Sequence, residues 1–146
     1  MPKEEIVIVW FKRDLRISDH IPLTLASTSG TMLPIFIFEP KLWTKPDHSY
    51  RHYMFLKEAL SDLKKQLKLL GTDLTVLVGS AVNIFDKLNS QYKIKAIFSH
   101  EETWNLWTYN RDQEVRAWAN DNKVKWIETP KNGVVRALKN RNGWSR

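Results

Sequence analysis

Five apolar runs alternate along the chain with segments whose apolar residues recur every three or four positions. The runs are Ile6–Phe11, Met32–Phe38, Leu74–Val78, Ile94–Phe98 and the shorter Val124–Ile127. Continuous β-branched and aromatic stretches of this kind fit strands buried on both faces of a parallel sheet. Pro34 stands near the start of the second run, where a missing N–H is best tolerated. Between the runs, Tyr53, Leu56, Leu60, Leu63, Leu67 and Leu70 form a helical stripe, with Lys57, Asp62, Lys64, Lys65 and Lys68 on other faces. Ser49 as N-cap and Gly71 as C′ residue predict that this helix spans about 50–70. Ser80 predicts the cap of a helix carrying Ala81, Ile84, Phe85 and Leu88, a further pattern runs from Asn105 to Asn122 through Val115 and Trp118, and a brief one follows Pro22. Strand–helix–strand alternation implies right-handed crossovers and a doubly wound α/β sandwich.

The length, 146 residues, suits a single domain. The chain has no cysteine, which excludes disulfides, thiolate metal sites and a thiol nucleophile. No apolar run approaches the roughly 20 residues that cross a bilayer, and the opening MPKEEIVIVW lacks a signal-peptide layout, so a cytoplasmic protein without membrane contact is expected. Lys and Arg number 23 against 16 Asp and Glu, a net charge of +7 that suits an anionic partner such as nucleic acid as readily as a solvated basic surface. Seven tryptophans add large amphipathic groups favoured in cores and in pockets for flat ligands.

Ligands of a doubly wound sheet sit outside the carboxyl ends of its strands. The segment after the first strand, Phe11-Lys12-Arg13-Asp14-Leu15-Arg16, has three cations and no glycine, so it is neither a dinucleotide loop nor a P-loop. Taken alone, its residues favour an ion pair of Asp14 with Arg13 or Arg16 that fixes the loop. Glu39 follows the second strand. After the fourth comes His100-Glu101-Glu102-Thr103-Trp104, where one His beside two Glu fits no zinc or hydrolase spacing, and Glu101 and Glu102 read as charges at a helix N-terminus. His20, His48 and His52 are scattered, so no metal site is expected, and no Ser has a convincing His partner. The aromatic stretch Trp104 to Tyr109 fits either the rim of a crevice for a flat heteroaromatic ring or lid packing.

Val9-Trp10-Phe11-Lys12-Arg13-Asp14-Leu15-Arg16, followed by Asp19-His20 and Pro22-Leu23, resembles the opening of the photolyase/cryptochrome family. Ser49-Tyr50-Arg51, His100-Glu101-Glu102-Thr103 with Tyr109-Asn110-Arg111-Asp112, and Asn132-Gly133-Val134-Val135-Arg136 through Trp144 resemble later stretches of that family in the same order. The resemblance implies the N-terminal antenna domain of a two-domain flavoprotein: a Rossmann-like five-stranded parallel sheet of order 3-2-1-4-5 over residues 1–130, with 131–146 opening the connection to a helical domain. That second domain would hold FAD and receive damaged DNA for light-driven repair of pyrimidine dimers. This chain alone would then carry no catalytic residue.

The antenna crevice implied by the resemblance uses Phe11, Lys12, Arg13 and Asp14, then Phe38, Glu39 and Arg51, with Glu101, Glu102, Trp107, Thr108 and Tyr109 as the far wall. Lumazine, folate and deazaflavin are its candidate occupants. Folate-binding members resemble one another in an Asn-Glu pair where this chain has Trp107-Thr108, and the phrases here look closer to a bacterial branch whose antenna is a lumazine or absent. The rival functions are a blue-light signalling cryptochrome, a stand-alone small-molecule-binding module and a basic nucleic-acid-binding module. The basic tail with Trp144 near its end is expected to lead into further polypeptide.

Overall fold

The five runs pair side by side, all parallel, in the order β3-β2-β1-β4-β5. A computed structural model describes residues 3–42, 50–102 and 105–130, the side chains of 50–52 excepted. Its elements are β1 (Glu5–Phe11), α1 (Ile21–Ser27), β2 (Met32–Phe38), α2 (Tyr50–Leu69), β3 (Thr75–Val78), α3 (Ala81–Gln91), β4 (Lys93–His100), α4 (Leu106–Asp121) and β5 (Lys125–Thr129). The fold is Rossmann-like α/β. The expected Ser49 cap, the Arg51 side chain and the 131–146 connection lie outside the described residues.

Alternation along β1 divides the core between the two faces of the sheet. Ile6, Ile8 and Trp10 pack with Phe85 of α3 and with Val115 and Trp118 of α4. Val7, Val9 and Phe11 pack with Leu23 of α1 and with Leu63 and Leu67 of α2. Each of these large side chains, fully buried, contributes about 1.5–3 kcal/mol. In β4, Ile94 and Ile97 lie three apart yet face the same core, because the register against β1 slips by one residue after Ile6.

The helix ends follow local chemistry. Ser80 accepts a hydrogen bond from the Asn83 N–H and caps α3. Gly71 adopts φ +90° after α2, where its N–H reaches the Lys68 carbonyl at 3.0 Å and the Thr72 N–H the Leu67 carbonyl at 3.1 Å. The expectation that all strands are buried on both faces fails at one edge. Val76 and Val78 are exposed on β3, the outermost strand of the sheet among the described residues. Leu70, placed by periodicity on the buried stripe of α2, is exposed as well, since the helix has already ended.

Helices α1 and α2 lie on one face and α3 and α4 on the other, so the chain leaves β1 and β4 in opposite directions. Between the carboxyl ends of those two neighbouring strands a crevice opens.

Candidate functional site

A cleft of about 510 Å³ occupies this position. Trp10 and Phe11 at the end of β1, Phe36 and Ile37 of β2, and Phe55, Leu56 and Ala59 of α2 give it apolar walls. Polar groups enter from three sides: Lys12, Arg13 and Arg16 after β1, Glu39 after β2, and Glu102 with Arg111 after β4. An apolar cleft with a few convergent polar groups is the usual form of a small-molecule site.

Arg111, on the inward face of α4, organises the polar side. Its Nη1 donates to Glu39 Oε1 at 2.6 Å, its Nη2 donates to Glu102 Oε1, and its Nε donates to Asp112 Oδ1 at 2.8 Å. Its guanidinium stands 5.0 Å from the Trp10 ring centroid and 5.8 Å from that of Trp107. Lys12 Nζ lies 4.3 Å from the Trp10 centroid, donates to the His100 carbonyl at 3.3 Å and approaches Asp112 Oδ1 at 3.8 Å.

Burial governs the charges of this network. It pushes the Glu39 carboxyl up to about 7 against the opposing pull of Arg111, and it raises Asp112 despite Lys12 and Arg111. Burial lowers Lys12, with Asp112 only partly offsetting it. For Arg111 burial acts downward, but Glu39, Glu102 and Asp112 together hold its proton more firmly than usual. Glu39 and Arg111 thus both move up although they are partners. The two are consistent, because desolvation outweighs one cation at Glu39 and three carboxylates outweigh desolvation at Arg111.

Asp14 belongs to a second buried cluster beside the cleft. Its side chain turns to two histidines and a backbone N–H, where its neighbours in sequence suggest an arginine. Its Oδ2 accepts from His20 Nε2 and His100 Nδ1, each at 2.6 Å, and its Oδ1 accepts from the Lys12 N–H at 2.8 Å. Arg16 instead donates to the carbonyls of Ser18 and Asp19. Burial acts upward on the Asp14 carboxyl, but the bonds from His100, His20 and Lys12 hold it well below the usual carboxylate range. Asp14, His20 and His100 bring ligand-type atoms within 4.8 Å of one another. The histidines that looked scattered in sequence are therefore gathered in space. His20 cannot coordinate a cation here, however. Its Nδ1 accepts from the Leu23 N–H at 3.1 Å, which leaves the ring proton on the Nε2 that faces Asp14. The donor set is that of a hydrogen-bonded tie joining β1, α1 and β4.

Of the residues expected at the crevice, Phe11, Lys12, Arg13, Glu39 and Glu102 line the cleft together, and Asp14 sits behind its first loop. Glu102 is no helix-terminal charge, since α4 has no acidic residue in its first turn and Glu102 is buried against Arg111. Glu101 and Tyr109 line an adjoining groove of about 190 Å³ with Glu102, Gln113 and Arg116, so that Glu102 stands between the two hollows. Thr108 is fully buried in a capping box: its N–H reaches Asn105 Oδ1 at 2.9 Å, and its Oγ1 accepts from the Asn105 N–H at 3.1 Å. Trp107 is half-buried beside Arg111, and Phe38 packs edge-on to Tyr53 at 5.9 Å, away from the cleft lining. Sequence reasoning did not single out Trp10 or Arg111 for the site. Arg111 falls in step with Thr108, Val115 and Trp118 on the buried stripe of α4, and a cation on such a stripe was the available signal.

A crevice at the switch point, lined by aromatic residues and a buried ion network, has the form of a small-molecule site on a Rossmann-like sheet. Residues 7–143 match the family model described as DNA photolyase, and the chain belongs to that family. Cryptochrome DASH of Gloeobacter violaceus is 32% identical over 102 residues, covering 66% of this chain and 20% of the relative. Cryptochrome-1 of Sinapis alba is 36% identical over 104 residues, covering 68% of this chain and 20% of the relative. This chain spans about a fifth of the length of these curated relatives. Among solved structures, the archaeal photolyase from Sulfolobus tokodaii, with two FAD molecules and an implied novel light-harvesting cofactor, superimposes with a TM-score of 0.77. That match has 26% identity and covers 86% of this chain and 29% of the other. The bacterial class III photolyase from Agrobacterium tumefaciens shares the fold, with a TM-score of 0.76 at 23% identity over 89% of this chain and 26% of its own.

Proposed function

We propose that this chain is the antenna-holding α/β domain, residues 1–130, of a photolyase-type flavoprotein acting in light-driven repair of pyrimidine dimers in DNA. In this reading residues 131–146 begin the connection to a helical domain that holds FAD and meets the damaged DNA, and the protein works in the cytoplasm. The observation that carries the reading is the 510 Å³ cleft at the switch point, whose apolar walls suit a flat heteroaromatic ring. The two FAD molecules and the implied light-harvesting cofactor of the Sulfolobus tokodaii photolyase support an antenna chromophore in addition to the FAD of the second domain.

An antenna chromophore absorbs light and passes the excitation on, and the protein's part is to fix the position and orientation of its ring. Phe55 and Leu56, which keep accessible surface at the cleft, offer the ring apolar area, while the buried Trp10 and Phe11 back the wall behind it. Lys12, Glu39 and Arg111 supply polar contacts at its edge, and the Asp14 tie holds the loop that carries Lys12 and Arg13.

The test is to isolate the full-length protein, record its absorption spectrum and identify the bound small molecules by mass spectrometry. The proposal expects FAD together with a second chromophore, and it expects the second to be lost in a Trp10→Ala, Glu39→Ala variant that still folds. Recovery of FAD alone from every preparation, with no binding of added chromophores to the 146-residue chain, would refute it. A cryptochrome-type signalling role is the second reading, favoured by the cryptochromes among the relatives. Repair of dimers by the full-length protein under blue light separates the two.

A further inference from the structure

Glu39 is the cleft-lining residue that keeps a buried side-chain atom, Oε2, without a hydrogen-bond partner. Its other oxygen, Oε1, is taken by Arg111 Nη1. The remaining unpartnered buried atoms among the described residues, His100 Nε2 and Thr129 Oγ1, belong to residues that do not line the cleft. The buried charges around Glu39 come from three directions: Arg111 from α4, Glu102 from the end of β4 and Lys12 from the end of β1, with Asp112 bonded to Arg111 and Lys12 behind them; Arg13 and Arg16 line the same cleft on its more exposed side. With Glu39 ionised, three carboxylates of the inner set meet two cations, and a buried surplus charge is costly. A proton on Glu39 removes the surplus. Since Arg111 donates to Oε1, that proton belongs on Oε2, where it is a donor without an acceptor.

The geometry points to Glu39 as the residue that selects the ring: its Oε2–H donates to a ring carbonyl of the occupant, favouring a carbonyl–NH–carbonyl edge (lumazine, isoalloxazine, deazaflavin) over the aminopyrimidinone edge of a folate. This inference rests on the reading of the cleft as a chromophore seat. A carboxylate with both oxygens free grips two adjacent N–H groups through parallel hydrogen bonds, as it grips a guanidinium. Glu39 offers a folate no such grip, because one oxygen is engaged by Arg111 and the other carries a proton. The folate's amino group would be left as a buried, unmet donor. A dicarbonyl edge has acceptors on both sides of its ring N–H and meets the carboxyl's O–H in either orientation.

Binding is therefore linked to the proton. Burial pushes the carboxyl up to about 7, and a ring that needs the protonated form binds in proportion to that form. Riboflavin, whose ring is uncharged between pH 6 and 8, is the probe, titrated into the 146-residue chain by flavin fluorescence. Its Kd should be about tenfold larger at pH 8 than at pH 6. Glu39→Gln, whose carboxamide accepts from Arg111 through oxygen and donates through nitrogen, should bind at pH 8 as tightly as the parent does at pH 6, with no slope. Folic acid at pH 6 should bind at least tenfold more weakly than riboflavin. A riboflavin Kd that does not change with pH, or a slope that survives in Glu39→Gln and so belongs to Lys12, overturns the assignment of Glu39. Failure of riboflavin, 6,7-dimethyl-8-ribityllumazine and folic acid to bind at any pH removes the seat itself, and the assignment with it.

Discussion

Replacing Asp14 by Asn changes one oxygen to an amide nitrogen, and the cluster around it adapts only in part. The Asn oxygen can still accept from the Lys12 N–H, as Asp14 Oδ1 does at 2.8 Å. The amide nitrogen then faces both histidines. His20 is fixed with its proton on Nε2 by the bond its Nδ1 accepts from Leu23 N–H, so its bond is lost. His100, whose Nε2 has no partner, can move its proton there and accept from the amide through Nδ1. A hydrogen bond to a charged acceptor is worth about 1.5–3 kcal/mol; one is lost with its donor left buried, and the other becomes a weaker neutral bond. The expected loss is about 2–4 kcal/mol at pH 7, a fall in Tm of about 10 °C for a domain of this size. Urea unfolding followed by tryptophan fluorescence measures it.

The pH dependence supplies the sign. The folded-state Asp14 carboxyl lies below its ordinary value of 3.8, so its stabilisation is complete above about pH 4 and is lost as the pH falls through and below that value. The carboxylate's own contribution to the gap between parent and Asp14→Asn is complete above pH 5. The gap should then close by about 1.4 kcal/mol for each unit below pH 4. A gap under 1 kcal/mol at pH 7, or one that persists unchanged to pH 3, would show that the carboxylate is not the tie between β1, α1 and β4.

Arg111→Met leaves Glu39, Glu102 and Asp112 buried without their common cation. It should cost about 3–5 kcal/mol at pH 7, with part recovered towards pH 5 as the carboxyls take up protons, in urea titrations at the two pH values. Lys123, at φ +58°, closes α4 in a left-handed conformation, and the Val124 N–H reaches the Ala119 carbonyl at 2.9 Å; Lys123→Gly should raise stability by up to about 1 kcal/mol in the same assay. Glu39 binds a proton in the folded state at pH values where the unfolded chain, near 4.5, has lost it, so the parent loses up to about 3 kcal/mol between pH 4.5 and 7. Glu39→Gln should remove that loss, unfolding at a higher urea concentration than the parent at pH 8 and at a similar one at pH 4.5.

The sheet was legible because its order depends on features a sequence displays. β-branched runs mark the strands, and Ser80, Asn105 and Gly71 mark helix ends through chemistry that acts over three or four residues. What could not be read depends on distant partners. Asp14 has cations on both sides in sequence, yet its partners lie six and 86 residues away. Glu102 looked like a helix-dipole charge until α4 proved to begin at Leu106, capped by an amide. His20 is a poor N-cap by propensity and serves as one only because Asp14 fixes its ring. Val76 and Val78 have the composition of buried strand residues, but an edge position leaves them in solvent, and strand composition does not report which strand lies outermost.

Two buried carboxyls close to the first loop are driven in opposite directions, and the difference lies in what surrounds them rather than in how deeply they lie. Asp14 and Glu39 are comparably buried. Asp14 accepts three hydrogen bonds and has no second carboxyl among the groups that shift it, so it stays ionised and acts as a fixed anchor. Glu39 shares Arg111 with Glu102 and Asp112 and keeps one oxygen unmet, so it sits near the balance between its two forms. A group that only holds the fold together gains nothing from such a balance, since each pH unit across it changes stability by about 1.4 kcal/mol. Perturbed groups of this kind concentrate where ligands bind, and this one lines the cleft while the anchored one stands behind the loop. Under the proposed function, the Asp14 tie supplies rigidity and the Arg111 network selectivity. A ring placed between them would be oriented by the first and chosen by the second.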